Sequence, residues 1–333
     1  MIKEFVTLSE ERKVTLTCYL EETKGEFGAV DQRPAVLILP GGGYHFCSDR
    51  EADPVAFPYL RAGYHAFILR YSLNDQAVWP RPLEDYEEAM SLIRANADIW
   101  RVAPDRIAVI GFSAGGHLAA CAATMSRNRP NAAILGYPVI DGPCAKDYLA
   151  SAPDVPSHVD GDTCPCFVFA TRTDNLVPVE NSVHLIDALC ANAVAFESHI
   201  YSNGGHGLTT GEEGLNYGAF SGRYQKWVED SISWLGDVLG GISPSAGLTP
   251  PKFGPKVNGD RDDTLGFECT FRHLAAFPEA MEAIHELLPG IEDSVPSAAL
   301  HVIRLCDRLW DYKGDPEKLK ELEEKLKSIP NRL

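Results

Sequence analysis

A serine, an aspartate, a histidine and a run of glycines stand where they could do chemistry together. The serine is Ser113, at the centre of Gly111-Phe-Ser-Ala-Gly115. The apolar residues 107–110 precede it and the small-residue segment 118–123 follows. That order reads as strand, sharp turn and helix. Glycines two residues to either side let a strained turn form and let strand and helix approach closely. Such a turn lifts the hydroxyl off the sheet and sets the N–H of Ala114 at a helix start. A serine hydroxyl is a weak nucleophile near neutral pH; it needs a base, and the base needs a group to orient it. Downstream, Asp174 lies just past the apolar run ending at Ala170-Thr171, and His206 lies just past the run ending at Tyr201. All three positions fall at the carboxyl ends of predicted strands, the edge where open α/β sheets build their sites. Ser113 therefore reads as nucleophile, His206 as base and Asp174 as its orienter.

The assignments have competitors. Asp174 stands shortly before Pro178, which opens a predicted helix, so it could be a loop or cap aspartate; Asp162 is a weaker rival. His117, four residues past Ser113, falls on the following helix, where it supports packing and is less suited to be the base. An attacked carbonyl also needs its developing negative charge held, and each backbone N–H aimed at it contributes about 10²–10³ in rate. Ala114 is one such donor. Pro40-Gly41-Gly42-Gly43-Tyr44, directly after the apolar run 35–39, supplies Gly42 and Gly43 as the others. A flexible turn or a phosphate loop is the competing reading of these glycines, but the GK[ST] ending of a P-loop is missing.

The elements that must position these residues follow from periodicity. Short alternating runs at 5–7 and 14–19 open the chain, and continuous apolar runs at 35–39, 64–69, 107–110, 132–137, 166–170 and 195–201 read as buried strands. Helical patterns lie between them at 53–62, 83–98, 179–190 and 224–239; in the second, Tyr86, Met90, Ile93 and Ala97 form one stripe. This alternation predicts an α/β fold, a mostly parallel sheet with helices on both faces. Between Val139 and Thr163 no period is visible, and a loop of that length could form a small lid. Residues 1–240 are thus expected to form the domain that carries the site. The Gly-, Pro- and Ser-rich stretch 241–263 reads as a linker. Residues 264–333 read as a small all-α module with helices around Phe277–Leu288, over Leu300–Trp310, and from Asp315-Pro316 to Ile329.

Composition bounds the partners. Of 333 residues, 30 are Lys or Arg and 47 Asp or Glu, a net charge of −17. That excess argues against nucleic acid or an anionic membrane as partner. No run of about 18 apolar residues occurs, and the first residues lack the pattern of a signal peptide. Nine cysteines, scattered through core-forming segments, fit free thiols in a reducing cytoplasm. Neither CxxC nor HExxH is present, so no metal and no cofactor are expected. Oligomeric state, including a homo-oligomer, is left open.

Four motifs in order, Pro-Gly-Gly-Gly-Tyr44, Gly-Phe-Ser113-Ala-Gly-Gly-His-Leu, Asp174-Asn-Leu-Val-Pro-Val-Glu-Asn-Ser and Gly-Gly-His206-Gly-Leu, make residues 1–240 resemble the α/β-hydrolase esterases related to acetyl xylan esterases and hormone-sensitive-lipase-like enzymes. Pro40 stands where many lipases begin HGGG with histidine, as it does in the sugar-esterase branch. The resemblance implies serine carboxylester hydrolysis through an acyl-enzyme, often the removal of acetyl groups from sugars. It also implies the same triad and the same oxyanion donors, Gly42, Gly43 and Ala114. Short-chain acyl esters, such as those of xylan-derived oligosaccharides, are then the expected substrates, with Tyr44, His45 and Trp79 as candidates to line the pocket or equally to be structural. A peptidase of the same fold is one alternative. A non-catalytic scaffold whose C-terminal helices bind a partner is another. Those helices are faintly similar to modules appended to bacterial carbohydrate-active enzymes.

Overall fold

The central strand explains the rest of the architecture. In the computed structural model, which describes residues 1–23, 29–216, 220–309, 312 and 314–332, strand β5 covers Val102–Phe112. Its last six residues are buried on both faces. Ile107 and Val109 point into one apolar core, and Ala108, Ile110 and Phe112 into the other, the two-residue alternation of a strand. Around it lie β1 (Ile2–Ser9), β2 (Val14–Leu20), β3 (Arg33–Leu39), β4 (His65–Arg70), β6 (Ala132–Gly136), β7 (Cys166–Thr171) and β8 (Phe196–Tyr201). The eight strands are ordered β1-β2-β4-β3-β5-β6-β7-β8. β1 with β2 and β2 with β4 are antiparallel, and every later pair is parallel.

Helices cover both faces, as the alternation predicts. On one side α2 (Arg81–Ala95), α4 (Ser113–Met125) and α6 (Glu180–Ala191) pack onto Leu37, Val109 and Leu135; the short α3 (Ala97–Trp100) follows α2. On the other, α1 (Asp53–Arg61) and α7 (Lys226–Val238) pack onto Ile38, Ile110 and Phe169. Trp227 of α7 is fully buried and stacks on Phe169 at 4.3 Å between centroids. Burial of such side chains contributes about 1.5–3 kcal/mol each.

Three expectations need correction. The aperiodic stretch 139–163 contains a short helix, α5 (Gly142–Tyr148), held by Asp154, whose carboxylate accepts the Gly142 N–H at 2.8 Å. The stretch 241–263 is divided between two compact units, Met1–Pro255 and Lys256–Leu333. Residues up to 255 pack on the first unit: β9 (Ile242–Ser243) pairs with β10 (Gly247–Leu248), Arg106 donates to the Thr249 carbonyl, and Ala195 N–H to that of Pro255. Residues from 256 belong to the second, where Gly259 N–H donates to Glu268 and Asp260 accepts from Thr270.

The third correction concerns 300–310, where no α-helix forms over the described residues; Trp310 itself lies outside them. The backbone there pairs across the chain instead. Phe271 and Arg272 donate to Ile303 and Leu300, while Leu305 and Cys306 donate to Cys269 and Phe267. Those partners lie in and around α8 (Phe271–Leu274), a turn of helix that periodicity missed. α9 (Pro278–Leu287) and α10 (Pro316–Lys327) match the expected helices, α10 starting where the Asp315 carboxylate accepts the Glu317 N–H. Leu274, Ile284, Leu322 and Leu326 share this unit's core.

Candidate active site

Ser113 has φ of +53°, a left-handed value that a non-glycine residue adopts at a cost. Close packing enforces it. A Cβ at Gly111 would stand 2.2 Å from the Gly115 carbonyl oxygen, and one at Gly115 only 2.1 Å from that of Leu39. Only glycine lets β5 turn into α4 while α4 lies against the end of β3. The turn presents Ser113 Oγ to His206 Nε2 at 2.8 Å.

His206 rides on the loop after β8. Its Nδ1 lies 2.8 Å from Asp174 Oδ2, on the loop after β7. Asp174 is nearly inaccessible, its side chain 1% exposed, and His206 is 14% exposed. The other Asp174 oxygen, Oδ1, accepts the N–H groups of Leu176 and Val177, each at 2.9 Å. The competing reading of Asp174 as a loop aspartate fits this second oxygen, which holds the turn after β7, whereas α6 starts at Glu180 with no side-chain cap. Asp162 sits apart, its N–H on Asp160. His117 is buried, with Nδ1 accepting from the Tyr44 hydroxyl at 2.8 Å and Nε2 donating to the Pro153 carbonyl at 3.0 Å. Burial pushes its pKa down to about 4, and both ring nitrogens are engaged away from Ser113.

The triglycine winds past the serine. Gly42 and Gly43 have φ of +133° and +62°, and the turn closes through His45 N–H on the Gly42 carbonyl and Ser48 N–H on that of Gly41. Gly42 and Gly43 line the cleft that holds Ser113 and His206. Among the described residues their N–H groups donate to no group in the chain. Ala114 begins the first turn of α4, where N–H groups have no intrahelical acceptor. Gly41 differs, for its N–H donates to the buried Glu51 carboxylate at 2.8 Å. Three N–H groups beside a hydroxyl with an oriented imidazole form an arrangement able to attack a carbonyl and hold the resulting oxyanion.

Similarity to known proteins is extensive at this point. The solved structure of MGS-M1, an alpha/beta hydrolase enzyme from a Medee basin deep-sea metagenome library, is 43% identical with a TM-score of 0.67, covering 72% of this chain and 98% of that one. The chain belongs to the α/β-hydrolase family. The BD-FAE family model matches residues 26–151. The acetylxylan esterase of Xylanibacter ruminicola is 26% identical over 260 residues, 70% of this chain and 50% of that protein. The acetyl ester-xyloside bifunctional hydrolase of Caldicellulosiruptor lactoaceticus is 30% identical with a TM-score of 0.59, covering 67% of this chain and 87% of that one. Through these relatives the chain is similar to α/β-hydrolase esterases of the acetyl xylan esterase-like branch. The chain spans between about a third and a half of the length of the first curated relatives it matches.

The cleft of this α/β-hydrolase, about 680 Å³, corrects the expected pocket lining. His45 lines it. Tyr44 does not: its φ of +62° turns the ring inward, where it is buried edge-on against Tyr71 and bonded to His117. Trp79 also lies behind the site, its ring 5.9 Å from that of His117. The rings that do line the cleft are Phe46, which is exposed, and Tyr148 of α5, with Leu176 beside them. Neither ring was legible as a site residue. Phe46 sits among polar loop residues, and Tyr148 belongs to a segment with no visible period.

Proposed function

We propose that the chain is a serine carboxylesterase that hydrolyses short-chain acyl esters through an acyl-enzyme, with acetylated xylan-derived oligosaccharides as its substrates. The observation that carries this reading is the pair of 2.8 Å hydrogen bonds linking Asp174, His206 and Ser113 in the cleft. In the reaction, Ser113 Oγ attacks the ester carbonyl while His206 Nε2 takes its proton. Asp174 holds the imidazole in the tautomer with a proton on Nδ1 and stabilises the imidazolium. The carbonyl oxygen gathers negative charge against the N–H groups of Gly42, Gly43 and Ala114. As the tetrahedral species collapses, His206 returns the proton to the departing sugar oxygen and leaves an acyl-serine. Water, deprotonated by the same nitrogen, then releases the carboxylate.

The substrate class rests on the relatives, one named an acetylxylan esterase and one an acetyl ester-xyloside hydrolase, and on the rings of Phe46 and Tyr148 beside the serine, able to stack on a sugar face. Free cysteines throughout fit a reducing compartment such as the cytoplasm. Among the described residues no helix is long and apolar enough to cross a membrane. The deciding experiment compares wild type with Ser113→Ala on p-nitrophenyl acetate and on acetylated xylo-oligosaccharides, following acetate release. We expect at least a 10³-fold loss in the variant, the order of loss when a triad member is removed. Undiminished hydrolysis in Ser113→Ala would reject the triad assignment.

A further inference from the structure

Glu51 is a carboxylate that the reaction above does not use, yet it is buried beside the site. It precedes α1, is 3% exposed, and lines the same cleft as Ser113. Its two oxygens reach two different parts of the machinery. Oε2 accepts the Gly41 N–H at 2.8 Å, at the head of the triglycine turn. Oε1 accepts the Tyr137 hydroxyl at 2.6 Å, just past the end of β6. Tyr137 carries the link onward: its hydroxyl oxygen accepts the Thr209 N–H at 3.1 Å, and its ring stands edge-on to His206 at 5.0 Å. Thr209, in the loop that bears His206, is also tied through its hydroxyl to the Arg50 carbonyl, next to Glu51.

Resting on the esterase reading above, we propose that Glu51 is a positioning residue for ester hydrolysis, one carboxylate fixing the triglycine loop through Gly41 and the histidine loop through Tyr137. The geometry leaves little slack at either end. A Cβ at Gly41 would lie 2.8 Å from Glu51 Oε2 and 3.0 Å from Ser113 Cβ, so the carboxylate and the serine press on the same glycine. Release of that glycine lets the N–H groups of Gly42 and Gly43 drift from the oxyanion, and release of Tyr137 frees the ring on which His206 rests. An error of about 1 Å in such a constellation costs on the order of 10²-fold in rate.

The charge of Glu51 matters as well as its shape. The groups facing it are Arg50 and Cys47 from its own approach segment, Tyr71, Tyr137, Tyr224, and His206 from the histidine loop. Burial holds the tyrosines and Cys47 in their neutral forms well past neutral pH. Among the carboxyl, thiol and phenol groups of this set, then, Glu51 is the one able to change charge in the range of the activity profile, since burial raises its carboxylate pKa. Protonation of the carboxylate at low pH removes the charge that holds the Gly41 N–H and the Tyr137 hydroxyl. Neutralising position 51 removes that protonation step, which moves the acid limb of the activity profile to lower pH.

The test is the Glu51→Gln variant of the full chain, with Tyr137→Phe and Ser113→Ala beside it, assayed on p-nitrophenyl acetate from pH 4.5 to 8.5. Expected for Glu51→Gln is native circular dichroism, a kcat lower by about 10- to 100-fold, a KM changed far less than kcat, and an acid limb of kcat/KM displaced to lower pH. Tyr137→Phe, which keeps the ring and loses one arm, should show a smaller fall in kcat. A folded Glu51→Gln enzyme with wild-type kcat and limb overturns the proposal. A fall in kcat with an unmoved limb also overturns it, since general loosening would do the same. Should the glutamine variant not fold, Tyr137→Phe decides: wild-type kcat and limb there overturn the proposal, and a reduced kcat with a displaced limb upholds it. Ser113→Ala separates the two readings. If that variant still hydrolyses ester, the esterase mechanism itself has failed; if it is silent while Glu51→Gln matches wild type, only the role of Glu51 has.

Discussion

At Asp174 a single side chain makes two separate sets of hydrogen bonds, and the two can be told apart by substitution. Oδ2 faces His206 while Oδ1 holds the turn through Leu176 and Val177. Asp174→Asn keeps a carbonyl oxygen for the turn but offers the imidazole an amide. We expect its kcat to fall about 10³- to 10⁴-fold, through the wrong tautomer of His206, with the melting temperature almost unchanged. Asp174→Ala should lose as much activity and also the turn bonds, about 1 kcal/mol each. Steady-state kinetics together with urea unfolding of both variants checks this. Equal stability of Asn and Ala variants would mean that Oδ1 contributes nothing. The same economy explains why the sequence left the role of Asp174 open: a capping aspartate and a catalytic one occupy the same kind of loop after a strand.

At the scale of elements, the site depends on how closely α4 lies against the end of β3. The bare Cα of Gly115 permits the contact, with the Leu39 and Pro40 carbonyl oxygens 2.1 and 2.5 Å from where a Cβ would stand. These obstacles are backbone, not the ends of flexible side chains. Gly115→Ala must therefore push helix and strand apart, and it should destabilise the first unit by on the order of 3 kcal/mol and misplace the Ser113 turn. Denaturant unfolding and ester hydrolysis would both register it; a variant with wild-type stability would contradict the packing described. The Gly-x-Ser-x-Gly spacing made this junction legible in advance, because few elements other than a strand-to-helix turn need small residues at just those positions. Residues 300–310 had an equally helical-looking pattern, yet their backbone groups found partners around α8. Periodicity reports which side chains want burial, but it does not report which carbonyl lies within reach.

At the scale of the molecule, two buried histidines couple folding of the first unit to pH. His65 accepts the Glu21 N–H on Nδ1, its Nε2 lies 3.2 Å from the Arg101 carbonyl, and burial holds its pKa down to about 4, as it does for His117. Both titrate near their ordinary value of about 6.5 once unfolded. Between those values the unfolded chain binds protons that the folded chain refuses, so stability is complete above about pH 6.5 and falls as pH drops toward 4. The full difference is on the order of 3 kcal/mol for each ring. Thermal midpoints should decline steadily from pH 7 to pH 4.5, with a shallower slope in His117→Gln, which removes one of the two protons. A midpoint flat over that range would show that these rings are not excluded from protonation. The division at Pro255/Lys256 also belongs to this scale. Gly, Pro and Ser between 241 and 255 signalled a linker, but they equally suit a strap that closes on Arg106 and Ala195.

Local chemistry alone determined much here: the mostly parallel sheet, the strand-turn-helix at Ser113, and the succession of aspartate and histidine at later strand ends. Each rests on near-neighbour rules, such as the two-residue alternation of a strand, the need for glycine at a strained turn, and the order in which strands deliver their ends to one edge. Only the tertiary structure decided what fills the space around them. Tyr44 turns inward to His117 while Phe46 and Tyr148 face the cleft. Glu51 binds Gly41 and Tyr137, partners 10 and 86 residues away along the chain. A buried carboxylate is tolerated only where such distant donors converge on it, and no window of sequence contains them together.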